Sequence, residues 1–125
     1  MTAADVMSSP VETIDESATV DVALAMMRSK GVTSLLVEPA DPEDAPGFFS
    51  QTDAVARIVA HAIDPQTVRV ADVMSRPVIT VPPETPVQDC ARLMSRAQIR
   101  RVLVHDGEKI VGIVSASDVL AIYRS

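Results

Sequence analysis

The chain repeats itself. Val6-Met7-Ser8-Ser9-Pro10-Val11 recurs 67 positions later as Val73-Met74-Ser75-Arg76-Pro77-Val78. The register then holds without a gap: Ile14 meets Val81, Val20 meets Val87, Ala23 meets Cys90, Met27 meets Met94, and Leu35-Leu36-Val37 meets Val102-Leu103-Val104. Such self-similarity constrains the fold more than local propensity does, because each copy must form the same supersecondary unit. Gly47-Phe48-Phe49-Ser50-Gln51-Thr52-Asp53 matches Gly112-Ile113-Val114-Ser115-Ala116-Ser117-Asp118 at an offset of 65, so the first copy holds two extra residues upstream. These fall in residues 38–46, where Pro39, Pro42, Pro46 and four acids predict an exposed loop.

Both copies have one local grammar. An extended piece (residues 11–14 and 78–81) leads into a turn rich in proline and acids. An amphipathic helix follows, with Val20, Ala23, Leu24 and Met27, or Val87, Cys90, Ala91 and Met94, at i, i+3, i+4 and i+7. Thr85-Pro86-Val87-Gln88 predicts a capping box with proline at the first helical position, whereas the matching Ala18 caps poorly. Apolar runs at 32–37 and 99–104 have strand length. A turn (Asp106-Gly107 in the second copy), a second strand at 109–114, and a helix opening at Ser50 or Ser115 complete the unit. The expected fold is α+β, two β-α-β-β-α repeats, with copies at 1–62 and 73–125 and a linker at 63–72. A unit of about 60 residues buries too little surface to stand alone, so the copies are expected to pack on each other. Met26, Met27 and Met94 lie on helical stripes and read as core.

With 125 residues, a net charge of −6 and only three aromatics (Phe48, Phe49, Tyr123), the chain lacks the clustered cations and stacking platforms of nucleic-acid binding, and the cations that anionic membranes attract. Cys90 is the only cysteine and His61 and His105 the only histidines, too few for an ordinary four-ligand zinc site or an internal disulfide. A reducing cytoplasm is the expected location, since neither a spanning apolar run nor a signal-peptide pattern is present.

The order of elements, the Val-Met-Ser openings, the run Arg100-Arg101-Val102-Leu103-Val104-His105-Asp106 and the Gly-x-x-Ser-x-x-Asp closes together resemble a tandem cystathionine-β-synthase (CBS) domain pair, the Bateman module. The resemblance spans residues 6–123 and rests on two copies in one register rather than on any single motif. It implies a sensor that binds an adenosine-containing ligand (AMP, ADP, ATP, NAD or S-adenosylmethionine) in clefts between the copies. It implies a homodimer as well, with Val55, Ile58 and Val59 and their partners Val119, Leu120 and Ile122 as the seam. With no effector domain in the sequence, output is expected to pass to another, regulated protein.

The closing motifs have a plain reading and a functional one. Ser50 and Ser115 fall at helix N-caps with Asp53 and Asp118 at the third helical position, which describes capping boxes. The same groups suit a nucleotide, because an ionised Asp accepts from both ribose hydroxyls and helix-start amides favour phosphate. Arg100 and Arg101 enter a strand side by side, so their side chains alternate in direction and only one faces a given side. The resemblance implies that Arg100 and Arg101 contact the phosphates of the nucleotide held by Asp53, and that the neutral Thr33 and Ser34 serve the Asp118 side. For adenine it implies Ile79 with Met74 and Ile99, or Glu12 with Met7 and Val32.

Enzyme signatures are missing. Gly107 to Gly112 has phosphate-loop spacing, but Ile113-Val114 stands where Lys and Ser/Thr are required. No nucleophile elbow or triad pattern is present, and Cys90 lies on an apolar helical stripe, which suits an inert buried thiol.

Overall fold

The computed structural model describes residues 1–76 and 78–123; Pro77, the counterpart of Pro10 in the repeat, lies outside the described residues. The elements in order are α1 (Ala3–Val6), β1 (Thr13–Asp15), α2 (Val20–Lys30), β2 (Ser34–Glu38), β3 (Gly47–Ser50), α3 (Gln51–Arg57), β4 (Thr80–Val81), α4 (Val87–Ala97), β5 (Arg101–His105), β6 (Ile110–Ser115) and α5 (Ala116–Ala121). Short 3-10 turns occupy Val59–His61 and Val70–Asp72. The α+β class and the doubled β-α-β-β-α order are as expected, with α1 as an addition.

The two sheets are built alike. β1 runs parallel to β2, which the α2 crossover makes possible, and β2 runs antiparallel to β3. In the second copy β4 is parallel to β5, and β5 antiparallel to β6. The stripes Val20, Ala23, Met27 and Val87, Cys90, Met94 are buried, so the helical period placed the cores correctly. Burial, and next Asp89, raise the Cys90 thiol above its usual range.

The compact units do not follow the order of the chain. Glu12–Val78 forms one, and Met1–Val11 joins Ile79–Ser125 in the other. Residues 1–11 therefore belong with the second copy's sheet, while residues 68–78 return to the first copy's. Both return segments use the same backbone bonds 67 positions apart. The Ala3 and Val70 amides donate to the Thr85 and Ala18 carbonyls, both at 2.8 Å, and those of Ala4 and Ala71 to Pro83 and Glu16, both at 3.0 Å. Ser8 then exchanges two backbone bonds with Ile113, and Ser75 two with Phe48, which covers the outer edges of β6 and β3.

The expected capping box at Thr85 is absent. Pro86 is the N-cap of α4 and makes no side-chain cap bond. The Val87 amide instead donates to the Met1 carbonyl at 3.1 Å, so the return segment satisfies the helix start, and the Thr85 carbonyl accepts from the Ala3 amide. The loop at 38–46 is largely exposed, and Phe49 is fully buried in the first core.

Candidate functional site

Each sheet ends on a capping box. In the first unit the Ser50 hydroxyl accepts from the Asp53 amide at 3.2 Å, and Asp53 Oδ2 accepts from the Ser50 amide at 2.9 Å and its hydroxyl at 3.1 Å. In the second, Ser115 Oγ accepts from the Asp118 amide at 3.2 Å, and Asp118 Oδ2 accepts from the Ser115 amide at 2.8 Å. The capping reading of both motifs is thus correct. What distinguishes them is the other carboxylate oxygen. Asp53 Oδ1 accepts from the Ser75 hydroxyl at 3.0 Å. Asp118 Oδ1 has no donor among the described residues, although Asp118 is only half-buried.

The strand starts place the remaining candidates. Arg101 pairs with Ser115 across β5 and β6, and the Arg100 carbonyl accepts the Ala116 amide at 2.8 Å. Ser34 pairs with Ser50 in the same way, and the Thr33 carbonyl accepts the Gln51 amide at 3.0 Å. The strand neighbours of Asp118 are therefore Arg100 and Arg101, and those of Asp53 are Thr33 and Ser34. The physical reason is hairpin register: each antiparallel pair sets the first residues of one strand against the last residues of the next within its own copy.

The methionines are also exchanged. Met74 sits in the first core, where a Cβ on Gly47 would strike its sulfur, and Met7 packs against the second core, where a Cβ on Gly112 would strike its sulfur. Each return segment thus carries its methionine into the sheet of the other copy. Ile79 and Ile99 are half-buried and pack against the second core, with the Ile79 carbonyl accepting the Leu103 amide at 2.8 Å. Glu12 is half-buried and its carbonyl accepts the Leu36 amide at 3.0 Å.

Ser75 and Arg57 were missed as residues that shape the site. Arg57 donates to the carbonyls of Val73 at 2.7 Å and Met74 at 2.9 Å, and so ties α3 to the return segment. The one signal available was the longer identity Ala-Asp-Val-Met-Ser at 4–8 and 71–75, which marks both return segments as part of the repeat. Among the described residues no cluster of His, Cys, Asp or Glu could hold a metal ion, and no helix is long and apolar enough to cross a membrane.

Comparison with known proteins agrees with the doubled architecture. The CBS domain family model matches residues 3–60 and 70–125. The CBS domain-containing protein YhcV of Bacillus subtilis is 30% identical over 114 residues, covering 91% of this chain and 79% of that protein. An uncharacterised protein of Methanopyrus kandleri is 34% identical over 119 residues, covering 94% of this chain. The hexameric CBS-CP12 protein from bloom-forming cyanobacteria superposes with a TM-score of 0.90 at 39% identity, over 96% of this chain. The chain spans 57% of the Methanopyrus protein and 66% of the cyanobacterial one.

Proposed function

The chain belongs to the CBS-domain family, and from that premise we propose that it is a non-enzymatic regulatory module that binds an adenine nucleotide (AMP, ADP, ATP or an NAD-type ligand). The observation that carries this reading is the Asp118 box: a half-buried carboxylate with one oxygen that has no donor among the described residues, on the hairpin whose first strand begins at Arg101, next to Arg100. In the proposed role Asp118 accepts from the ribose hydroxyls, Ser115 holds its carboxylate in place, and the arginines meet phosphate. Ile79 and Ile99 supply apolar contact for the base. Charge-assisted bonds of this kind contribute about 1.5 to 3 kcal/mol each. Thr33, Glu12, Ser50 and Asp53 would form the weaker counterpart in the first copy.

A homodimer is part of the same proposal. Val55, Val59 and Leu120 expose 61%, 67% and 54% of their surfaces, which suits a seam between copies of the chain. Ile58 is excluded from it, because it is 2% exposed and belongs to the first core. A cytoplasmic setting and a separate regulated protein complete the reading.

A thermal-shift panel with AMP, ADP, ATP, NAD and S-adenosylmethionine tests the nucleotide claim. A ligand at 100 times its Kd stabilises by about 2.7 kcal/mol. A flat panel would leave the chain as a ligand-free assembly module.

A further inference from the structure

Two copies of one motif share sequence, backbone path and capping geometry, yet their carboxylates are committed to different degrees. Asp53 accepts three hydrogen bonds: the Ser50 amide, the Ser50 hydroxyl and, at 3.0 Å on Oδ1, the Ser75 hydroxyl. Asp118 accepts one among the described residues, from the Ser115 amide. Ser8, which the repeat sets in the place of Ser75, makes the same two backbone bonds with its strand partner but is exposed and makes no side-chain bond among the described residues.

The difference has an identifiable cause. The segment carrying Ser75 is held against α3 by Arg57 on the Val73 and Met74 carbonyls, and held beyond Ser75 by an Arg76–Glu16 ion pair at 3.1 Å. In the second copy the matching positions are Ile122, Ser9 and Pro83, none of which can make those bonds.

We propose that Ser75 is a specificity-determining residue: its hydroxyl closes Asp53 to ribose, making the first copy's carboxylate a strut and leaving Asp118, of the two boxed carboxylates, to accept a vicinal diol. The proposal rests on the nucleotide reading above. A diol engages both oxygens of a carboxylate, and at Asp53 Oδ2 already has two donors and Oδ1 one, the latter held there by three further side-chain bonds of its own segment. Displacing it costs about tenfold in an equilibrium, on top of the ligand's own desolvation.

Two measurements on the full chain decide it. The first is calorimetric stoichiometry with adenosine, a probe without phosphate and so indifferent to the arginines. Wild type should bind one adenosine per chain and Ser75→Ala two, the second lost again in Asp53→Asn/Ser75→Ala, while Ser75→Thr keeps the hydroxyl and should bind one. The second needs no ligand: a urea-unfolding double-mutant cycle should give Asp53 and Ser75 a coupling of about fivefold in the unfolding equilibrium, and Asp118 and Ser8 none. One adenosine for wild type and Ser75→Ala alike would overturn the proposal, as would two for wild type with one lost in Asp53→Asn, or a coupling indistinguishable from that of Asp118 and Ser8. No adenosine bound by any variant would remove the nucleotide reading and the selectivity built on it, and the Asp53–Ser75 coupling would then measure a purely structural strut.

Discussion

Among the described residues, the first unit hydrogen-bonds its return segment through side chains as well as backbone, whereas the second hydrogen-bonds its own to α4 and β6 through backbone. Residues 68–78 are gripped by Asp53 through Ser75, by Arg57 through two carbonyls and by Glu16 through Arg76. Residues 1–11 bring a Thr2–Asp5 capping box, a fully buried Ala3 and the Met1 carbonyl that receives the Val87 amide, but among the described residues make no side-chain hydrogen bond to the Asp118 box. A duplicated motif can thus hold its geometry in both places while, among the described residues, its two carboxylates receive different numbers of hydrogen bonds. In the proposed role, Arg100 and Arg101 on the hairpin of Asp118 would offset the repulsion that a protein of net charge −6 exerts on an anionic ligand.

The widest gap between the units is expected in binding. Asp118→Ala should weaken nucleotide binding about 10 to 100-fold, the loss of one or two charge-assisted contacts. Asp53→Ala should change affinity less than threefold and lower stability instead, by about 1 to 2 kcal/mol, because a cap and a strut go together. Calorimetry and urea unfolding on the two variants break the comparison if Asp53→Ala costs as much affinity as Asp118→Ala.

The arginines sharpen it. Arg100→Ala/Arg101→Ala should bind ATP at least about tenfold more weakly and with a shallower salt dependence, while adenosine loses much less. Equal losses for both ligands would mean that the arginines act through structure. The Asp118→Ala and arginine variants should then fall on one site rather than two, a point that displacement of a single labelled nucleotide checks directly.

These expectations depend on facts that the sequence exposed unevenly. The helical stripes and both Ser-x-x-Asp boxes were legible because every partner lies within four residues, where spacing alone reports geometry. The partners of the return segments were not. Ala3 donates to Thr85 and Ser8 pairs with Ile113, and no local period encodes contacts across such separations. The identical Ala-Asp-Val-Met-Ser runs show that both segments do the same thing, but not which sheet each one joins. The Asp53 lock was hidden for a further reason: Ser75 and Ser8 are the same residue in the same motif, and what separates them is Arg57 against Ile122, eighteen and more than a hundred residues away. Pro86 failed as a first helical residue because a carbonyl at the far end of the chain had already satisfied the helix start.

Packing beneath the closing strands gives a smaller contrast. A Cβ on Gly47 meets the Met74 Sδ, Cγ and Cε, the free end of a flexible side chain, whereas on Gly112 it meets the Met7 Sδ, Cγ and Cβ, which cannot move without the backbone. Gly112→Ala should therefore destabilise by about 1 to 3 kcal/mol and Gly47→Ala by less, both read from urea midpoints at constant slope. Equal costs would show that the grip of Arg57 on the Met74 carbonyl fixes that side chain as firmly as the fold fixes Met7.

The smallest expected effect lies at the two turns that carry a carboxylate held low, one in each unit. In the first, Asp15 accepts from the Ser17 hydroxyl at 2.6 Å and amide at 2.8 Å, and these bonds, the hydroxyl first, hold its pKa below the ordinary value. In the second, Asp106 accepts from the Lys109 amide at 3.0 Å and the Glu108 amide at 2.9 Å, which lower it in that order. Each carboxyl has a lower pKa folded than unfolded, so across the window between the two values the unfolded chain binds more protons and stability rises with pH. The contribution is complete above the ordinary carboxylate range and is lost as pH falls through the folded values. Asp15→Asn and Asp106→Asn should each flatten the fall in stability between about pH 5 and pH 3. The two changes should add, because the turns lie in separate units and share no partner. Urea midpoints at pH 3, 4, 5 and 7 for the single and double variants measure this. A single variant that flattens the curve as far as the double one would show that one unit alone carries the acid sensitivity.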